Sequence, residues 1–286
     1  MKKPRLVTVT GSRTNTLRQM LSHYKDMVSE IHLVNYRTLD INNKESFDRV
    51  SEIAEEFGCI VHERESDAFN WISVTHFYNE IKNLYPDDWW IVADDDELHL
   101  YWDDVNSIIE DCENNGWEFV TGGFIDKIGE NGEFPFVDEN TDLWEAFPIS
   151  SFFRYPMSGA CPNKVTLCKG RIEVTSGQHY AQIEGQSTWR WQGWNHPLRY
   201  PIERGFTQVH HFKWDKTSID RIKSVASIKQ VYAFSDEYNK MYKSLNQTNF
   251  KIDLKNKEFM FESNQIRPKY DEYRNWNKLY KKIISI

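Results

Sequence analysis

Trp89-Trp90-Ile91-Val92-Ala93-Asp94-Asp95-Asp96-Glu97-Leu98-His99-Leu100 is an apolar run that turns abruptly into four consecutive acids. Preceded by the turn-forming Pro86-Asp87-Asp88, the apolar half reads as a central strand of a sheet covered on both faces. Packing carboxylates together raises their mutual repulsion, so they must reach water, hydrogen-bond donors or a cation. In an extended chain Asp94 and Asp96 project to one side and Asp95 to the other. One side of the strand end therefore offers an Asp-x-Asp pair to a hard divalent ion with oxygen ligands. The plainer alternative is a solvated acidic turn before the next helix, where Asp103 and Asp104 supply N-terminal charge.

Outward from this stretch, strands and helices alternate. Residues 6–10, 31–34 and 59–62 read as strands, with amphipathic helical patterns at Leu17, Met20, Leu21, Tyr24 and Val28 and at Phe47, Val50, Ala54 and Phe57. A long helix over residues 69–85 delivers the chain to the central strand. A further helix carries Val105, Ile108, Ile109 and Cys112 and stops at Asn114-Asn115-Gly116, before a strand from Trp117. This order implies an α/β fold with a mostly parallel mixed sheet flanked by helices. Ligands of such sheets gather beyond the carboxyl ends of the strands. Residues 10–13, 35–40, 62–67 and 94–97 all lie at such ends and make a composite nucleotide and metal pocket. Its donor-side candidates are Thr10, Arg13, Asn35, Asp40, Arg64, Asp94 and Asp95.

Beyond residue 124 the alternation fades. Gly and Pro punctuate a segment rich in Phe and Trp, expected to form long acceptor-side loops and not an independent core. Residues 164–168 resume a strand, which carries Lys164. His210 and His211 sit next to each other in an extended pattern and would face opposite ways, so at most one faces the acids. Trp189, Trp191 and Trp194, interleaved with Arg190, Gln192, Asn195 and His196, suggest a wall for sugar faces. The division expected is a catalytic domain over residues 1–215 and a helical C-terminal extension over 216–286. The extension's last part mixes Arg267, Lys269, Lys278, Lys281 and Lys282 with Tyr270, Trp276 and Ile283, suiting packing onto the acidic body or contact with an anionic membrane.

Composition limits the function classes. The formal net charge of −8 over 286 residues opposes a non-specific grip on a nucleic-acid polymer, which needs dense Lys and Arg. Cys59, Cys112, Cys161 and Cys168 lack close metal-ligand spacing. No signal-peptide core and no transmembrane stretch is evident, so the expected location is cytoplasmic, with the inner face of a membrane within reach. Neither Gly-x-Gly-x-x-Gly nor a P-loop pattern occurs. Phosphates are expected to be neutralised by a cation and not wrapped in backbone amides.

The order of Asp94, Asp96 and Glu97, then Lys164, then Gly177 and His179, and finally His211-Phe212-Lys213-Trp214 resembles GT-A-type nucleotide-sugar glycosyltransferases of the broad family-2-like group. The likeness covers most of residues 5–225; Asp95 departs from the usual apolar middle residue. It implies transfer of a sugar from a nucleoside-diphosphate sugar to a hydroxyl of a glycan or lipid-linked acceptor, in surface polysaccharide or glycoconjugate synthesis. It also implies Mn²⁺ or Mg²⁺ on Asp96, Asp94 on the ribose or a metal-bound water, and His211 or His210 completing the shell. Lys164 or Arg190 would add positive charge beside the diphosphate. An inverting transfer, the outcome preferred, requires a base; Glu184 is the nominal residue, with Asp142 and Glu145 as rivals. His179, Trp189, Trp191 and Trp194 fall on the acceptor side. The competing readings are a sugar nucleotidyltransferase, which would release pyrophosphate, and a carbohydrate-binding protein that has lost turnover.

Overall fold

The structure is a computed structural model and describes residues 3–11, 13–39, 44–187, 196–227 and 235–256. In chain order the elements begin β1 (Arg5–Thr10), α1 (Leu17–Tyr24), β2 (Ile31–Thr38), α2 (Lys44–Glu56), β3 (Ile60–Ser66), α3 (Trp71–Lys82), β4 (Trp89–Val92), β5 (Glu97–Leu100), α4 (Val105–Asn115) and β6 (Phe119–Ile128). They continue with α5 (Leu143–Ala146), β7 (Ile149–Ser151), α6 (Arg154–Ser158), β8 (Asn163–Lys169), β9 (Glu173–Val174), β10 (Ala181–Ile183), β11 (Gln186–Ser187), β12 (Thr207–His211), α7 (Lys216–Ser227) and α8 (Ser235–Gln247).

The chain forms two compact units, Met1–Gly123 with Asn163–Val209, and Phe124–Pro162 with His210–Ile286. In the first unit the sheet runs β3-β2-β1-β4-β8 and on through β6, β12 and β5. β1 pairs in parallel with β2 and β4, and β2 with β3. β8 is antiparallel to both β4 and β6, so the sheet is more evenly mixed than the alternation alone implied. A second small sheet follows the order β11-β10-β9.

The apolar run occupies the place expected of it. β4 lies between β1 and β8, and Trp90, Ile91 and Val92 are fully buried. α1 buries Leu17, Met20, Leu21 and Tyr24, the stripe read from the spacing. α4 starts on Asp104, whose side chain accepts from the amides of Asn106 and Ser107, and ends on Gly116 in the left-handed conformation with φ 72°. β2 runs on to Thr38, paired with Ser66 of β3, into a stretch expected to be loop. The largest departure is local: after a short turn the acids lead into β5 and not straight into a helix.

The second unit has its own core. Ile128, Phe134 and Phe153 pack with Trp214, Ile222, Tyr238, Met241, Leu245 and Ile252. The aromatic segment after residue 124, expected as loops without a core, thus supplies a third of these core residues. The side chains carried by its short elements need the C-terminal helices α7 and α8 to cover them, and that demand sets the division.

Candidate active site

The site is built at the end of β4. Where the apolar run stops, the chain turns sharply. The amide of Glu97 donates to the carbonyl of Asp94 at 3.2 Å, and the amide of Asp94 donates to Glu97 Oε2 at 3.1 Å. The turn aims each acid at a different partner. Asp94 Oδ1 accepts from the Tyr78 hydroxyl at 2.8 Å and its Oδ2 from Lys164 Nζ at 2.9 Å. Asp95 Oδ2 accepts from Thr10 Oγ1 at 2.5 Å. Asp96 Oδ2 accepts from Arg13 Nη1 at 2.8 Å, and Glu97 Oε1 from Lys164 Nζ at 2.7 Å. Three parts of the first unit therefore converge here: the end of β1, helix α3 and strand β8.

This is not a solvated acidic turn. Glu97 is fully buried and Asp96 only 8% exposed, and buried carboxylates persist only with charge or hydrogen-bond partners. Lys164 is itself fully buried. Burial works to lower its pKa, but Asp94 and Glu97 outweigh this and hold it above the usual lysine value. At Asp94 burial pulls the pKa up while the Lys164 ammonium pulls it down, and the ammonium prevails. Asp95 goes the other way: burial, then the neighbouring Asp96 carboxylate, push it up to about 7. Tyr78 is raised well above its ordinary value, by burial first and the Asp94 charge second, so it stays a hydroxyl. It accepts from the amide of Val9 at 3.2 Å while facing Asp94.

The donor set suits a hard cation. Asp94, Asp96 and Glu97 meet two cationic side chains, Arg13 and Lys164, leaving one negative charge in excess before Asp95 is counted. Carboxylate oxygens of Asp96 and Glu97 lie within 4.8 Å of each other, and the Asp96 charge works against the downward pull of Lys164 on the Asp94 pKa. An oxygen-rich group with that imbalance matches Mg²⁺ or Mn²⁺.

Two candidates from the sequence bind the acids directly. Lys164, expected to add charge beside a ligand's phosphates, is fully buried, and its ammonium is committed to Asp94, Glu97 and Gln178. Arg13 reaches the site but spends one arm on Asp96. Sequence reasoning missed Tyr78, which lies unmarked within the helix expected over residues 69–85, and Gln178. Gln178 is 1% exposed and has φ 53°, a left-handed conformation that costs a residue with a side chain about 1 kcal/mol. Its amide oxygen is thereby turned onto the lysine, and no sequence signal marks such a residue.

Most of the other candidates have partners of their own. Asn35 is fully buried and its amide ties β2 to α2, donating to the Phe47 carbonyl and Ser51 Oγ at 3.2 and 3.1 Å. Arg64 pairs with Glu80 of α3 at 2.7 Å. His179 Nδ1 lies 2.8 Å from the Asn163 carbonyl. Glu184 stands exposed with Gly185 in the two-residue turn joining β10 and β11, both with positive φ. That is the backbone a tight hairpin demands. In the second unit Asp142 caps α5, accepting from the amides of Trp144 and Glu145, and Glu145 is exposed. His210 and His211 are both buried there: the His210 ring lies 5.0 Å from that of Trp144, and His211 Nδ1 lies 3.7 Å from Asp126 Oδ1. Asp40, Trp189, Arg190, Trp191, Trp194 and the basic aromatic C-terminal stretch lie outside the described residues. Among the described residues no helix is long and apolar enough to cross a membrane.

No protein-family model matches the chain, and no curated protein does. Among solved structures it is similar to a protein described as a glucose-1-phosphate thymidylyltransferase of Bacillus anthracis, in complex with a sucrose. The TM-score is 0.36 at 14% identity, over 82% of this chain and 98% of that one. HddC from Yersinia pseudotuberculosis gives a TM-score of 0.28 at 12% identity, over 59% of this chain and 78% of that one. Mannose-6-phosphate isomerase from Helicobacter pylori gives 0.31 at 15% identity, over 59% of this chain and 72% of that one.

Proposed function

We propose that this chain is a divalent-cation-dependent transferase acting on a nucleoside-diphosphate sugar, whose glycosyl group it passes to a hydroxyl of a glycan or lipid-linked acceptor. The observation that carries this reading is the braced acid cluster at the end of β4, whose negative charge exceeds what Arg13 and Lys164 balance. Asp94 and Asp96 would hold Mg²⁺ or Mn²⁺. The ion, when bound, supplies positive charge for the diphosphate that leaves as the anomeric carbon–oxygen bond breaks.

The protein's own groups do the rest of the positioning. Lys164 and Tyr78 fix the two oxygens of Asp94, and Thr10 holds Asp95. Arg13 draws one oxygen of Asp96 toward the end of β1. A ligand site held this way needs no reorganisation when a charged substrate arrives, which is where preorganised electrostatics acts.

Nucleotidyl transfer from a nucleoside triphosphate to a sugar phosphate is the other reaction the same acids could serve, and the Bacillus anthracis neighbour is named for a reaction of that kind. The two differ in product. The full chain should be incubated with a panel of nucleoside-diphosphate sugars and Mn²⁺, and in parallel with nucleoside triphosphates and sugar 1-phosphates. Glycosyl transfer releases a nucleoside diphosphate, and Asp96→Asn should abolish it while the far-ultraviolet circular dichroism is unchanged. Pyrophosphate release in the parallel reaction, with no nucleoside diphosphate in the first, would replace this reading with nucleotidyl transfer.

A further inference from the structure

Within the second unit, Lys127 has an environment that the acid cluster does not explain. It lies on β6 opposite Ser150 of β7 and is 5% exposed. Its ammonium has two partners: Ser150 Oγ at 3.1 Å and the ring of Trp144, whose centroid lies 5.3 Å away. Among the described residues no carboxylate lies within ion-pair distance of it. Buried lysines normally have such a partner, because an ammonium out of water without an anion is costly. Burial alone pushes the Lys127 pKa down to about 8, which still leaves it largely charged at neutral pH.

Trp144 is the complementary anomaly. It is 41% exposed, although its ring already meets His210 at 5.0 Å and Phe212 at 5.2 Å, edge-on to the latter. The short helix α5 holds it there through the Asp142 cap. An indole fixed at the surface offers a flat apolar face of the kind that packs against the CH face of a sugar ring. An ammonium beside it offers charge to an anionic substituent of the same ring.

We propose that Trp144 and Lys127, with Ser150, form a subsite for an anionic sugar: the pyranose packs on the indole, and its carboxylate or phosphate accepts from Lys127 Nζ and Ser150 Oγ. The choice of a sugar rests on the reading that this protein handles glycosyl groups, and it makes an acidic glycan the acceptor class. Binding requires neither donor nor metal, so the test is independent of turnover.

The full chain, free of nucleotide and metal, is titrated with methyl β-glucuronide, glucose 6-phosphate and neutral methyl β-glucoside, followed by calorimetry and by saturation-transfer NMR. Either anionic sugar, or both, should bind at least about tenfold more tightly than the neutral one, the winner identifying carboxylate or phosphate as the group read. Lys127→Met should erase that preference while leaving the glucoside signal in place, and Trp144→Leu should remove saturation transfer to all three. Should Lys127→Met fail to fold, the Lys127 Cε–Hε resonance of the wild-type chain reports instead and should shift on adding the anionic sugar. Equal binding of charged and neutral sugars, preference retained in Lys127→Met, or an unmoved Lys127 resonance at saturation overturns the proposal. Absence of glycosyl transfer together with retained Lys127-dependent binding overturns the transferase reading and leaves this subsite standing.

Discussion

Lys164 shows how a single side chain sets the state of the whole site. Its ammonium is shared among Asp94, Glu97 and Gln178, and the two acids differ in environment: the Asp94 side chain is 36% exposed, Glu97 fully buried. Removing the cation strands Glu97 in the interior, whereas Asp94 can turn to water. Lys164→Met should therefore cost about 3–5 kcal/mol, the usual penalty for breaking a buried pair, read from urea unfolding. Adding Glu97→Gln to it should recover part of the loss, because no charge then stays buried alone. Asp96→Asn behaves differently: its partner Arg13 lies nearer the surface, 16% exposed, so the fold should survive while metal-dependent turnover disappears.

At the scale of elements, two contacts decide how the sheet holds together. Gly122 on β6 faces β12, and a Cβ added there would lie 2.5 Å from the Thr207 carbonyl oxygen, a backbone atom that cannot move aside alone. Gly122→Ala should destabilise by about 1–3 kcal/mol through forced separation of these strands, read as a lowered urea midpoint. β2 carries a pH-sensitive contact. His32 is 2% exposed and stacks on His62 of β3, with Nδ1 3.1 Å from His62 Nε2. Burial first, then His62 and Arg5, lower its pKa to about 4. Below its unfolded value of about 6.5 the unfolded chain takes up a proton that the folded chain refuses, so stability falls as pH drops from about 6.5 toward 4. His32→Leu should flatten that part of the stability profile measured by denaturant titration between pH 7 and 4.5.

For the molecule as a whole, the excess acidity at the end of β4 ties stability to ligand. A nucleoside diphosphate with Mn²⁺ should raise the melting temperature, by an amount equivalent to about 2.7 kcal/mol when the ligand stands at a hundred times its dissociation constant. Neither component alone should reproduce the rise, and Asp96→Asn should abolish it. Much of the scaffold for this was legible in the chain. The apolar run of β4, the Asp104 cap, the Gly116 stop and the stripe of α1 all follow from neighbouring residues, because strand and helix periodicity and capping are local. Even the acids announced a charged strand end, since four carboxylates together are intelligible only as a site or a solvent turn. What the tertiary structure alone decided is that these acids are drawn inward and given partners from distant parts of the chain. Tyr78 and Lys164 reach Asp94 across 16 and 70 residues of chain, and no local pattern encodes such a meeting. The same holds for the second unit, whose core joins residues 128–153 to residues 214–252. Burial of a charge or an aromatic ring is a property of what packs around it, and that is settled only when distant segments compete for the same interior.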